Sequence, residues 1–225
     1  MRISRRTSLL LGLAFFLGLG AGGWLLPRLI EPGSSAAAVP PLLDGVPDVR
    51  QSTDYSCGAA ALQALLGYWG VDKREQDLMQ KLGTTPEEGT SPESIVTVAG
   101  ELGCEAGLKE NLGFEDIEES LRRRVPVICA IQAWADFHSP GFSWEKAWED
   151  GHYVIVIGLD SRSVYVEDPS LLGTRGVMPR AEFASRWHDY RGEPPYDPSD
   201  RAYTRLGIFI VGKKIDAKPA FTPVE

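Results

Sequence analysis

The sequence predicts an α+β domain in which N-terminal helices pack on an antiparallel sheet. Two patterns carry this reading. Early in the chain, Leu62, Leu65, Leu66 and Trp69 recur at the i, i+3, i+4, i+7 spacing of one helix face. Later, apolar runs near 127–131, 152–158, 163–167 and 205–212 have the length and composition of strands. The chain of 225 residues is long enough for one domain with its own core once a leader is set aside.

Residues 8–26 contain no charge and follow Arg2, Arg5 and Arg6. A helix of that length rises roughly 28 Å, close to the hydrocarbon thickness of a bilayer. Residues 1–26 therefore read as a basic N-terminus and one transmembrane or signal-anchor helix. The arginines belong on the cytoplasmic side, which puts the rest of the chain outside the cytoplasm, at a bacterial inner membrane. The alternative is a signal peptide cut after Ala36-Ala37-Ala38, releasing a secreted domain. Ser4-Arg5-Arg6 followed by Leu9-Leu10 also carries a weak twin-arginine signal. Residues 27–46, with Pro27, Pro32, Pro40 and Pro41 among Gly33, Ser34 and Ser35, read as a tether. The domain is expected over 47–214, with a loose tail over 215–225.

Within the domain, a helix is expected from Cys57 to about Gly70 and another over 73–82, stopped by Gly83. Thr90-Ser-Pro-Glu93 has the form of a capping box with Pro92 in the first turn, so a third helix runs to about Leu102 and ends at Gly103. A short strand at 104–108 follows, then an amphipathic helix from Phe114 to Arg124. Val127–Ile131 is an apolar strand, and Pro126 at its start removes no needed N–H. After an irregular stretch come strands near 152–158 and 163–167, a short helix at 180–188 and a last strand at 205–212.

Charge excludes one class of partner. Residues 1–38 hold four basic residues and one acid, which leaves 19 basic and 30 acidic residues, a formal −11, for the rest. Such a body repels nucleic acid and anionic surfaces. Cys57, Cys104 and Cys129 are too few for a disulfide scaffold. Cys104 and Cys129 read as two buried thiols, with pairing between them as the alternative. No Cys-x-x-Cys or His-x-x-x-His spacing occurs, so neither a metal nor another cofactor is called for.

Cys57, His152 and Asp168 are the candidates for chemistry. Cys57 opens a helix, where exposed N–H groups and the helix dipole favour a thiolate. Strands 152–158 and 163–168 flank the turn Leu159-Asp160-Ser161-Arg162. Pairing centred near Asp160 would set His152 opposite Asp168, Val154 opposite Val166 and Val156 opposite Val164, all on one face. That spacing provides an imidazole oriented by a carboxylate, the base-and-orienter part of a triad. Gln51, six residues before Cys57, is a loop amide able to donate beside the Cys57 N–H. His138 and His188 lack a strand-borne carboxylate opposite them and read as surface residues. Trp134, Phe137, Phe142, Trp144 and Trp148 lead into His152. They read as a flap packed on the sheet, with Trp144 and Trp148 on one helical turn, or as a hydrophobic rim that grips substrate side chains.

Gln51, Asp54-Tyr-Ser-Cys57-Gly-Ala-Ala, Gly89-Thr-Ser-Pro-Glu93, Pro126-Val-Ile128, Gly151-His152-Tyr-Val and Val166-Glu-Asp168-Pro169 occur in that order. In these pieces the chain resembles the bacteriocin-processing cysteine peptidases, which cut leader peptides after a double glycine. The resemblance covers roughly residues 47–212. It implies a papain-like α+β fold, with Cys57 as nucleophile, His152 as base, Asp168 as its orienter and Gln51 as oxyanion donor. It implies a peptide or protein substrate and a cysteine peptidase of the cell envelope. Family members often form part of an ATP-driven exporter; these 225 residues hold no Gly-x-x-x-x-Gly-Lys-Ser/Thr loop. A transpeptidase or amidase on the same scaffold, and a non-catalytic peptide-binding module, are the alternatives.

Overall fold

The computed structural model describes residues 42–134, 139–192 and 195–213. The expected anchor over 1–26, most of the tether, His138, Phe137 and the tail fall outside these residues. Among the described residues no helix is long and apolar enough to cross a membrane.

Three helices come first: α1 (Cys57–Tyr68), α2 (Glu75–Leu82) and α3 (Pro92–Glu101). Gly83 ends α2 in the left-handed conformation, at φ 66°, as a C-terminal glycine does. The cap of α3 differs from the expected box. Ser91, not Thr90, is the N-cap, and its hydroxyl accepts from the Ser94 N–H at 3.1 Å. Pro92 then occupies the first turn, where its missing N–H costs nothing.

β1 (Glu105–Lys109), α4 (Phe114–Arg122), β2 (Val127–Gln132), β3 (Gly151–Leu159), β4 (Ser163–Glu167), β5 (Gly176–Pro179), α5 (Arg180–Arg186), β6 (His188–Arg191), β7 (Arg201–Thr204) and β8 (Gly207–Val211) follow. Six strands form one antiparallel sheet in the order β1-β8-β2-β3-β4-β5, and β6 and β7 form a separate pair. β5, β6 and β7 were not expected from the sequence. Each has four residues, too few for a periodic signal.

The sheet is covered on both faces. Ile128, Ala130, Tyr153, Ile155, Ile157, Ile208 and Ile210 pack with the leucines of α1 and with α2 and α3. Val127, Cys129, Ile131, Val154, Val156, Val164 and Val166 pack with Ile117 of α4, Phe183 of α5 and Trp187. Strands buried on both faces read as unbroken apolar runs, as 153–157 does. Cys104 belongs to the first cluster and Cys129 to the second, and both are free thiols.

The stretch read as a tether is part of this body at its end. Leu43 and Val46 are buried in the first cluster, and the Leu43 N–H donates to Ile157 O at 2.8 Å. Within the described residues 42–46, Asp44 and Gly45 form a turn, and Leu43 and Val46 on either side of it are buried in the first cluster.

Candidate active site

α1 begins at Cys57 because the loop before it is tied off. Ser56 is buried, and its hydroxyl bonds the Thr53 N–H and carbonyl instead of capping the helix. The first backbone bond of the helix runs from Ala60 N–H to Ser56 O at 3.0 Å. The N–H groups of Cys57, Gly58 and Ala59 therefore lie outside the i→i−4 ladder, as donors at a positive helix end. Gly58 is required by packing: a Cβ there would lie 2.7 Å from the Cβ of Thr90. Thr90 is held in turn, since its carbonyl accepts from the Tyr153 hydroxyl at 3.0 Å.

The expected His152–Asp168 contact forms, but through a different register. β3 and β4 pair Ile155 with Glu167 and Val156 with Val166; past a bulge they pair Gly158 with Tyr165 and Leu159 with Val164. Extending the first register places Asp168 level with Val154, two residues from His152 on the same face. The pair is thus diagonal, not directly opposed. The reason is the turn: Asp160 Oδ1 accepts from both the Arg162 and Ser163 N–H groups at 2.8 Å, and the bulge absorbs the extra residue. A shift of two keeps the side-chain parity, and a diagonal neighbour remains within reach.

His152 Nε2 lies 2.7 Å from Asp168 Oδ1. The same carboxylate oxygen accepts from the Ser170 N–H at 2.8 Å, which fixes its orientation. The imidazole is only 2% exposed. Burial alone would disfavour the imidazolium; the Asp168 hydrogen bond and the Cys57 thiol outweigh it and raise the His152 pKa to about 9. For Asp168, partial burial works against the carboxylate, and the bond from His152 with its charge overcomes it, leaving the pKa lowered. The second imidazole nitrogen, Nδ1, is buried and makes no hydrogen bond. The Cys57 thiol is the neighbour that acts on the ring from outside the pair with Asp168.

Gln51 lines the same cleft as Cys57. Its Nε2 donates to Thr53 O at 2.7 Å, which leaves its second amide N–H for other use, and its backbone N–H donates to Pro169 O at 2.9 Å. This last bond belongs to a set that stitches residues 46–51 onto the chain after β4. Glu167, fully buried, accepts from the Val49 N–H at 2.9 Å and pairs with Arg175, whose guanidinium also reaches Val46 O. The Gly173 N–H donates to Asp48 at 2.7 Å. The segment carrying Gln51 and the turn carrying Asp168 are therefore one fastened unit. Sequence reasoning missed Glu167 and Arg175, although an acid inside an apolar strand was the available signal.

A second buried polar group flanks His152. Gln132, at the end of β2, is fully enclosed and lies across from Gly151. Its Oε1 accepts from the Asp150 N–H at 3.1 Å, and its Nε2 reaches His188 O and Asp189 Oδ1, both at 3.3 Å. Asp189 is partly enclosed in the cleft wall, and burial pushes its carboxyl up to about 7 against the pull of the Tyr190 N–H and Gln132. Gly151 makes this possible, because a Cβ there would lie 2.6 Å from Asp189 Oδ1.

His188 is not a surface residue. It is buried at the start of β6, bonds Ala147 O through Nε2 at 2.7 Å and lies 4.3 Å, centroid to centroid, from Trp148. Burial lowers its pKa. The aromatic stretch mostly packs. Trp148 stacks on Tyr196 at 4.2 Å, and Phe142 meets Trp144 edge-on at 4.9 Å. Trp144 and Trp148 do not share a helical turn, since the 3-10 turn there covers only Trp144–Lys146. The cleft, about 950 Å³, runs between the Cys57 end of α1, the 83–92 loop and the 148–151 and 189–192 segments. Among the described residues no cluster of side chains has the make-up of a metal site.

A profile described as the Peptidase_C39 like family matches residues 43–194, about two thirds of the chain. The chain belongs to this family. Two uncharacterized archaeal proteins are similar to it. That of Methanothermobacter thermautotrophicus is 29% identical over 124 residues, and that of Methanothermobacter marburgensis 27% over 123, each match covering 55% of this chain and 71% of the relative. Among solved structures, a protein from Bacillus anthracis described as a C39-like peptidase superposes with a TM-score of 0.56 at 20% identity. That match covers 77% of this chain and 98% of the other. The peptidase domain of Streptococcus ComA, a bi-functional ABC transporter, superposes at 0.50 with 22% identity, covering 73% and 97%. At these identities the likeness establishes the C39-like peptidase fold, helices on an antiparallel sheet.

Proposed function

We propose that the protein is a cysteine peptidase that hydrolyses peptide bonds through Cys57, His152 and Asp168. The observation that supports it most is a buried imidazole held by Asp168 at 2.7 Å with its other nitrogen, Nδ1, unbonded, the Cys57 thiol at a helix start near enough to act on its charge, beside a cleft that Cys57 lines. Cys57 gives its proton to His152 Nδ1, and the thiolate attacks the scissile carbonyl carbon. The new C–S bond forms as the carbonyl becomes an oxyanion, which the Cys57 N–H and the Gln51 side-chain amide can meet. The imidazolium then protonates the departing nitrogen, and the C–N bond breaks. A water, deprotonated by His152, attacks the acyl carbon and releases Sγ. Asp168 stays ionised throughout and holds Nε2, so that Nδ1 is the nitrogen that trades protons.

The substrate class is a peptide or an extended segment of a protein, because the cleft that Cys57 lines, about 950 Å³, has room for more than one side chain. The uncharged run at 8–26 behind three arginines supports a membrane-tethered enzyme with its cleft outside the cytoplasm. The test is cleavage of a peptide mixture prepared from a digested bacterial proteome, with products sequenced by mass spectrometry. Wild type should generate new termini, and Cys57→Ala should generate none. New termini of the same kind from Cys57→Ala would remove this function.

A further inference from the structure

Trp134 stands apart from the other aromatic residues near the site. Phe142, Trp144 and Trp148 each lie against a protein neighbour, whether a second ring or the Arg186 guanidinium. Trp134 has His152 against it, at 4.6 Å between ring centroids, and is 57% exposed. It is the first residue outside β2 with a large free apolar surface, and it lines the same cleft as Cys57. Its backbone sits at φ 49°, a left-handed conformation that a bulky residue adopts only at a cost. Backbone strain at a cleft, carrying an exposed side chain, points to a role for that side chain.

The chemistry says which part of the substrate Trp134 meets. His152 must come within hydrogen-bond reach of the nitrogen that leaves, so the chain beyond the scissile bond has to pass His152. Trp134 lies against the imidazole, its ring tilted at 57° to it, and also lines the cleft. The residue that contributes the leaving nitrogen is therefore delivered against the open side of the Trp134 ring.

We propose that Trp134 is the specificity-determining wall for the residue that follows the scissile bond, where it grips an apolar or aromatic side chain. This rests on the peptidase reading above. The selection there is by apolar area and ring stacking, so glycine or an acidic side chain gains little.

The test uses the full chain and the same bacterial peptide mixture, comparing wild type with Trp134→Ala, Trp134→Leu and Trp134→Phe. Wild type should show enrichment of Leu, Ile, Phe, Tyr and Trp just after the cleaved bond. Trp134→Ala should lose that enrichment, with kcat/KM falling about 10–100-fold for synthetic peptides carrying Phe there and less than about 3-fold for the Gly counterparts. Trp134→Phe should retain most of it. Preference before the cleaved bond should stay as in wild type. Trp134→Leu covers the case in which alanine unfolds the loop, and should give an intermediate preference. A wild-type profile with no apolar preference after the bond, or variants that lower all peptides equally, would overturn the proposal while leaving the peptidase reading intact. A wild type that cleaves nothing removes both.

Discussion

His152 carries opposing effects in one ring. Burial favours the neutral imidazole, and Asp168 and Cys57 favour the charged one, with the charged form ahead at neutral pH because the pKa is raised to about 9. The consequence for stability has a definite sign. A histidine raised from its ordinary 6.5 binds its proton more tightly in the fold, so the contribution is complete below about 6.5 and is lost as pH climbs to about 9. Asp168, whose pKa is lowered, contributes above the usual carboxylate range and loses that contribution as pH falls through its folded value. The Asp168→Asn variant should therefore be less stable than wild type near pH 6, by a margin that narrows toward pH 9. Thermal melts across that range measure it, and a constant margin would argue against a charged pair. The same substitution should move the basic limb of the kcat/KM profile to lower pH, because the imidazolium that protonates the leaving nitrogen is lost earlier.

At the scale of elements, the site is a meeting of three fastened pieces: the start of α1, the β3–β4 hairpin and the 46–51 segment. The last is held by the Glu167–Arg175 pair. Arg175→Met leaves the fully buried Glu167 carboxylate with the Val49 N–H as its remaining donor among the described residues, and should cost about 3 kcal/mol. That is the low end for broken buried pairs, chosen because the Arg175 side chain is 34% exposed. Denaturant unfolding measures it, and a change within about 0.5 kcal/mol would mean the pair holds nothing. Much of this level was legible beforehand. α1, α2 and α3 announced themselves by spacing and glycine stops, and period-two parity placed His152 and Asp168 on one face. Parity survives a two-residue slip, which is why the contact was foreseeable when the pairing was not. The slip itself came from the Asp160 turn and the bulge at 157, which no apolar pattern records. Glu167, Gln132 and Asp189 were missed for a related reason: their partners are backbone groups and side chains far off in sequence.

For the whole molecule, the fold class could be read from the order of helices and strands, while the small β5, β6 and β7 could not. The beginning of the body was drawn too late, because proline and serine were weighted above the apolar Leu43 and Val46. Net charge speaks at this scale too. A body at −11 gains nothing from an anionic bilayer surface, so the proposed membrane tether rests on residues 8–26. The full chain should sediment with membranes and be released by detergent but not by high salt, whereas release by salt alone would point to a peripheral contact. The central claim, that Cys57 is an activated nucleophile held by His152 and Asp168, is tested most directly by its reactivity. The measurement is the rate of Cys57 alkylation by iodoacetamide at mildly acidic pH, with adducts mapped by mass spectrometry and N-acetylcysteine as the reference. The account predicts that Cys57 reacts well ahead of the reference and of the buried Cys104 and Cys129, and that Asp168→Asn slows it. A Cys57 no faster than the reference thiol would contradict it.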